Sequence, residues 1–385
     1  GLFAILHFII NVFVYSAFEV YPSSWAVLAL GGLLMLRPSS KRVFLVLILA
    51  MLVDAWLRAP VQSNHTIMKN VLLLAFVGSG LYHALKGSRW TDFFRDAVPV
   101  GRVLLLVMYF YGVFHKINEG FLDPTVSCAV SLWERLPWPV SALDHVFFQY
   151  SAIYGTFVLE IAIVIMLLVP RLRHWGIIVG IGFHGFIGLS GFASYPAFST
   201  FTIALHVLFL SPAQARRIVD GPNFQALLSQ LRSLKGAILL PIAIILMAWL
   251  SATGNHGMTA LIWLPLVSLV AIAILFPGGA AEGIPPASRG RLLWSRLTWL
   301  NVLGIAFFIN CALPYFGLKT AQSINMFANL RVEGGINNHL LMRHMPMPFG
   351  YLDDLVEIRE ASGDRVLEYA AREDLGLVYY HLLHR

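Results

Sequence analysis

Tyr109-Phe-Tyr-Gly-Val-Phe-His-Lys-Ile-Asn118 closes an apolar run that begins near Arg102. It places Lys116 where a membrane helix is about to leave the bilayer. An ionisable group at that depth is costly to bury and marks a candidate functional site. The simpler account is a snorkelling lysine, its stem in lipid and its ammonium among headgroups. The choice between them turns on where the other intramembrane polar residues fall.

The surrounding composition makes the membrane setting plain. The 385 residues are 58% hydrophobic and 12% charged, with a mean hydropathy of +0.73. Apolar runs near the length of a membrane span, roughly 17–25 residues, recur throughout. They fall at about 2–18, 25–36, 43–58, 66–85, 101–117, 146–169, 175–191, 197–211, 236–252, 260–276 and 296–316. The reading is an all-α polytopic membrane protein of about 9–11 transmembrane helices. The first run has no basic residues before it and is expected to be a membrane helix, not a signal peptide.

Charge assigns the orientation. Basic connections (Arg37 to Arg42, Lys86 to Arg95, Arg171 with Arg173, Arg216 to Lys235, Arg289 to Arg296) alternate with acidic or nearly uncharged ones. Basic loops stay cytoplasmic, so the N-terminus is expected inside and the C-terminus outside. The net charge of +7 is then topology and not a nucleic-acid footprint. Residues 1–316 form the expected membrane domain. Residues 317–385 hold more charge and read as a small outer-face cap containing β-structure, with a hairpin around Ser362-Gly-Asp364.

With depth assigned, Lys116, Asn64, His65, His184 and Asp54 (with Arg58 at i+4) all fall in the outer half of the membrane, on four helices. Glu160 at mid-membrane and His206 nearer the inner face fit this set less well. A lysine desolvated among Phe110, Phe114 and lipid yields a neutral amine, suited to take a proton from a phenol or hydroquinone. Asn64 and His65 would hold the resulting charge through fixed donors. A transporter would line both halves of the membrane with polar groups, whereas here the inner half is comparatively bare. A quinone-binding partner of an electron-transfer chain is a third possibility. Cys128 and Cys311 are either bridged on the outer side or two buried thiols, and no metal-ligand cluster stands out.

Three stretches resemble vitamin K-dependent gamma-glutamyl carboxylase and the bacterial membrane proteins that share its horizontally transferred transmembrane (HTTM) domain. Asn64-His65-Thr66 is similar to the family's Asn-His-Ser/Thr segment. Tyr109 to Lys116 is similar to its helix ending in the essential lysine, and His184-Gly-Phe-Ile-Gly-Leu-Ser-Gly-Phe-Ala-Ser-Tyr195 to its later histidine region. The likeness covers about residues 1–345. It implies Lys116 as initiating base, His65 and Asn64 as its partners, and His184, Tyr109, Asp54 and Tyr195 around the pocket. It further implies reduced vitamin K or menaquinol as cofactor, no metal, and coupling of quinol oxygenation to carboxylation of a glutamate or related carbanion chemistry. The implied partners are the bilayer, a lipophilic quinone and a protein or peptide on the outer face, in a bacterial inner membrane. Residues 317–385 are shorter than the luminal portion of the carboxylase, so quinol activation is carried over more readily than protein carboxylation. Ile324 to Gly335 is expected to lie over the cavity.

Overall fold

A computed structural model describes residues 1–14, 21–59, 63–87, 90–192, 195–276, 278, 292–334, 336–346, 348–349, 355–357, 360, 362 and 377–379. Most of them are helical. The chain runs α1 (Leu2–Ile9), α2 (Pro22–Leu36), α3 (Lys41–Leu57), α4 (Asn64–Leu85) and α5 (Trp90–His115). It continues through two short helices, α6 (Glu119–Leu122) and α7 (Cys128–Glu134), into α8 (Val146–Leu168), α9 (Arg173–Ile187) and α10 (Tyr195–Val207). Then follow α11 (Pro212–Val219), α12 (Pro222–Arg232), α13 (Leu234–Ala252), α14 (His256–Leu275) and α15 (Asn301–Ala312).

Among the described residues, six helical segments are long and apolar enough to cross a membrane: Asn64–Leu85, Asp92–His115, Val146–Leu168, Leu234–Ala252, His256–Leu275 and Thr298–Phe316. Their lipid-compatible faces are exposed, as with Val158, Ile161 and Ile165 on α8 and Ile242, Ile245 and Trp249 on α13. The protein is a multi-pass membrane protein. The span count is lower than the expected 9–11, because apolar runs such as 25–36, 175–191 and 197–211 fold as shorter helices. Pro22 starts α2 at its first turn and Arg37-Pro38 follows its end. Its 15 residues rise about 22 Å, against a hydrocarbon core of about 30 Å. Helix α10 turns through 118° into α11, where Ser211 and Gln214 form a reciprocal cap around Pro212.

Close helix approach is set by small residues. At Gly176 of α9 a Cβ would lie 2.8 Å from the backbone nitrogen of Leu167 on α8. At Gly180 it would lie 2.1 Å from His206 Nε2, so only glycine admits that imidazole beside α9.

Helix α5 is the axis of the main core and packs on α4, α8, α10 and α15. At its start, buried Asp96 accepts from His83 Nε2 of α4 at 2.8 Å and from Arg296 Nε and Nη2 at 2.8 and 3.0 Å. At its other end the chain does not leave into solvent. His115 Nε2 donates to the Ser323 carbonyl at 2.9 Å, and Tyr315 donates to His115 Nδ1 at 2.6 Å. Asn118 donates to the carbonyls of His115 and Ala328 at 2.6 Å each, and pairs with His339 as an isolated β-bridge. The segment after α15 thus lies across the end of α5 that carries Lys116.

The expected β-containing cap is not supported. Among the described residues the strands are two three-residue pieces, Leu355–Glu357 (β1) and Leu377–Tyr379 (β2), paired antiparallel with Leu355 opposite Tyr379. Gly363 and Asp364 of the expected hairpin turn lie outside the described residues, as do Arg289, Arg291 and Gly335 from the other readings. Both cysteines are free thiols.

Asp96→Ala leaves His83 and Arg296 without their shared acceptor at the end of the bundle remote from Lys116. The expected loss is about 2 kcal/mol, read as a fall of several degrees in apparent Tm in detergent.

Candidate functional site

The end of α5 meets the middle of α8. Lys116 Nζ donates to both carboxylate oxygens of Glu160, at 2.6 and 2.7 Å, and the two residues are 8% and 7% exposed. Glu160 is therefore at the depth of Lys116, because α8 begins well beyond the end of α5 and α6 and α7 fold back along it. Phe121 and Val130 of those short helices pack with Ile153 of α8 in a separate apolar cluster. The Phe121 ring lies 5.7 Å from Lys116 Nζ. Phe110, expected to shield the amine, instead faces Phe308 at 5.8 Å and is half exposed.

The ion pair forms part of the wall of a cavity of about 210 Å³. The rest of the wall is largely aromatic and aliphatic, with Phe183, Phe186, Phe198 and Phe327 among its members. Three wall residues carry buried polar atoms with no hydrogen-bond partner: Trp133 Nε1, His184 Nδ1 and Ser190 Oγ. Orphaned polar groups of this kind are costly inside a protein and mark places where a ligand or water completes the bonding.

The expected site residues divide into two groups. Lys116, Asn64, His184 and Tyr195 line the cavity. Tyr109 stands behind His184, its hydroxyl 2.9 Å from His184 Nε2 and 3.0 Å from His206 Nε2. His206, set apart from the cluster on depth alone, joins it through Tyr109. Asn64 holds the cover as well as the wall, since its Oδ1 accepts from the Ile324 backbone at 2.7 Å. Ile324, Met326 and Phe327 line the cavity from above.

His65 and Asp54, expected in one chamber with Lys116, are not among the cavity-lining residues. His65 bonds Ser63 Oγ at 3.0 Å. Asp54 is saturated by Ser23, Ser24 and Arg58, at 3.1, 2.5 and 3.1 Å. Nearby Lys69 is 1% exposed and its Nζ lies 3.3 Å from His7 Nε2, which Asn11 also approaches at 3.1 Å. Helical spacing explains the split: Asn64 and His65 are neighbours in sequence and so face about 100° apart on α4, with His65 and Lys69 one turn apart on one face.

Glu160, placed at mid-membrane and apart from the set, belongs to the site, and Trp133 and Ser190 escaped the sequence reading. A carboxylate inside an apolar run requires a cation, and Lys116 was the candidate at hand, so the Glu160 pairing had a signal. Ser190 and Trp133 carried none, because a serine or a tryptophan at an interface is ordinary. His339 is buried, whereas His344 is exposed. His339 Nε2 donates to the Phe114 carbonyl at 3.0 Å, while Nδ1 accepts from the backbones of Leu341 and Met342. Burial holds the imidazole below its usual range, partly opposed by the bond to Phe114.

Among the described residues no group of three or more His, Cys, Asp or Glu side chains is placed to hold a metal ion. No family model, curated protein or solved structure matches the chain.

Two outcomes follow from these bonds. Lys116→Met alone leaves Glu160 buried without its cation and is expected to cost about 3–5 kcal/mol, whereas Lys116→Met with Glu160→Leu restores most of that stability in thermal melts. For His339 the folded form binds fewer protons than the unfolded form once the pH reaches the ordinary histidine range, so stability is lost as pH falls through about 6.5. Apparent Tm is expected to drop between pH 7.5 and 5.5, and His339→Gln to make that drop shallower.

Proposed function

We propose that this chain is an integral membrane enzyme in which the Lys116–Glu160 pair removes a proton from the ring hydroxyl of a lipid-soluble reduced quinone of the vitamin K or menaquinol type. The observation that carries this reading is a buried amine and carboxylate, bonded to one another, on the wall of an aromatic cavity that also holds unbonded polar atoms. The fit of such a ring rests on those wall groups. Phe183, Phe198 and Phe327 offer faces and edges for it, and Trp133, His184 and Ser190 offer one donor, one imidazole nitrogen and one hydroxyl.

When bound, a reduced quinone supplies an acidic hydroxyl and the reducing equivalents that the carboxylase family couples, with oxygen, to carbanion formation. The protein's part is proton custody. Lys116 Nζ and the Glu160 carboxylate hold one acidic proton between them, as ammonium and carboxylate or as amine and acid. Taking a second proton leaves the pair with a net positive charge, set opposite the negative charge on the group that gave the proton up. In a water-poor cavity that attraction is far stronger than at a surface. Coupling to oxygenation and to carboxylation follows from the motif resemblance alone, as does any peptide substrate on the outer face.

The same resemblance and the alternating loop charge support an N-terminus inside, a C-terminus outside and a bacterial inner-membrane location. Residues 1–316 then form the membrane domain and 317–385 an outer-face segment, of which Ile324, Met326 and Phe327 cover the site.

The test uses the full chain in nanodiscs, supplied with vitamin K hydroquinone or menaquinol under oxygen. Wild type is expected to form the epoxide. Glu160→Gln and the Lys116→Met/Glu160→Leu double variant are expected to lose at least about a hundredfold in rate while still binding the ring. Absence of turnover in wild type with tight ring binding would leave a quinone- or lipid-binding protein. Transport of the ring without oxidation would replace the enzyme reading altogether.

A further inference from the structure

Behind the cavity wall, a run of three side chains from α5, α9 and α10 decides what His184 presents to a ligand. It begins at His206 Nδ1, which lies 2.7 Å from the Thr202 carbonyl. A carbonyl only accepts, so Nδ1 carries the hydrogen. His206 is fully buried and has no carboxylate among its hydrogen-bond partners, so its ring is neutral and Nε2 is an acceptor. The Tyr109 hydroxyl therefore spends its one hydrogen on His206 Nε2, at 3.0 Å. What remains on Tyr109 for His184 is a lone pair. His184 Nε2, at 2.9 Å, must then be the N–H that donates to it. His184 is likewise buried with no carboxylate among its hydrogen-bond partners, so its ring is neutral and Nδ1 bears no hydrogen. That atom is buried and unbonded, on a residue that lines the cavity.

We infer that Tyr109 and His206 are positioning residues that lock His184 with Nδ1 as an acceptor, so that the cavity takes a ligand bringing an O–H or N–H donor to it. Gly180 is the companion of this arrangement, since any side chain there would occupy the place of His206 Nε2. The inference rests on the cavity being a ligand site, as proposed above, and adds a rule about the ligand. A hydroxyl-bearing ring is accepted, while the same ring with only carbonyl or ether oxygens sets lone pair against lone pair. A buried group left unpaired in this way is what makes a polar site selective.

Two measurements test it on the full chain in nanodiscs. Nitrogen-15 NMR of histidine-labelled protein, assigned with a His184→Asn variant, is expected to show His184 protonated at Nε2 and bare at Nδ1. A His184 protonated at Nδ1 would overturn the inference whatever binds. The second measurement compares 1-naphthol with 1-methoxynaphthalene, which differ in the donor hydrogen. Wild type is expected to bind the naphthol at least about tenfold more tightly, the size of one lost hydrogen bond. In Tyr109→Phe both histidines lose their partner and His184 is free to hold either tautomer, so the preference is expected to fall below about threefold. Trp133 serves both probes equally and Ser190 is untouched by that change, so a fall traces to His184. Equal binding by wild type, or an undiminished preference in a folded Tyr109→Phe, would overturn the inference. A naphthol preference without oxidation of any quinol would instead leave it standing and remove the enzyme reading.

Discussion

The contact between Lys116 Nζ and the Glu160 carboxylate is the constraint to which the rest of the cavity end conforms. Neither group tolerates an apolar wall by itself, and together they fix the height of α8 against α5. With that height set, the first half of α8 stands beyond the end of α5. The chain between them therefore returns along α8 as α6 and α7, burying Phe121 against Phe157 and Ile153. Such a pair adds little net stability compared with two well-packed apolar residues of similar volume.

A second constraint acts from the cover. Carbonyls and amides at the end of α5 would be orphaned if the helix ended in hydrocarbon. Here they are met by His339, Asn338 and Leu340: His339 donates to Phe114, Glu119 donates to Asn338, and Leu340 donates to Ile117. One segment both satisfies the helix end and, through Ile324 and Phe327, closes the space above the ion pair. The polar atoms of the bilayer-buried end are thus paired inside the protein, and the cavity is a by-product of how that pairing is arranged.

Legibility in the sequence followed the range of the interaction. Lys116, Asn64, His184 and Tyr195 were found because depth and side are properties of local runs and of loop charge, and these four do line one cavity. His65 and Asp54 share that depth without lining the cavity, because depth does not specify azimuth and adjacent positions on a helix look in different directions. Glu160 was set aside because apolar runs of different length were treated as sharing one midplane. Helix α8 has 23 residues and is offset along its axis relative to α5, a fact set by tertiary packing and invisible to a hydropathy window. The span count failed for a related reason: a run of apolar residues reports burial, and burial in a bundle of short helices looks the same as burial in lipid.

The cover has a further property. Gln322, Ile324, Phe327 and Asn329 all have φ between 54° and 64°, a region that β-branched and aromatic residues rarely visit. Each such residue costs on the order of 1–3 kcal/mol, more than the bonds inside so short a stretch supply by themselves. The offset comes from Asn64, from the backbones of Val126 and Cys128, and from the end of α5. All of these precede it in the chain. During synthesis the ribosome therefore releases the roof only after these partners have been made, and the cavity gains its cover last.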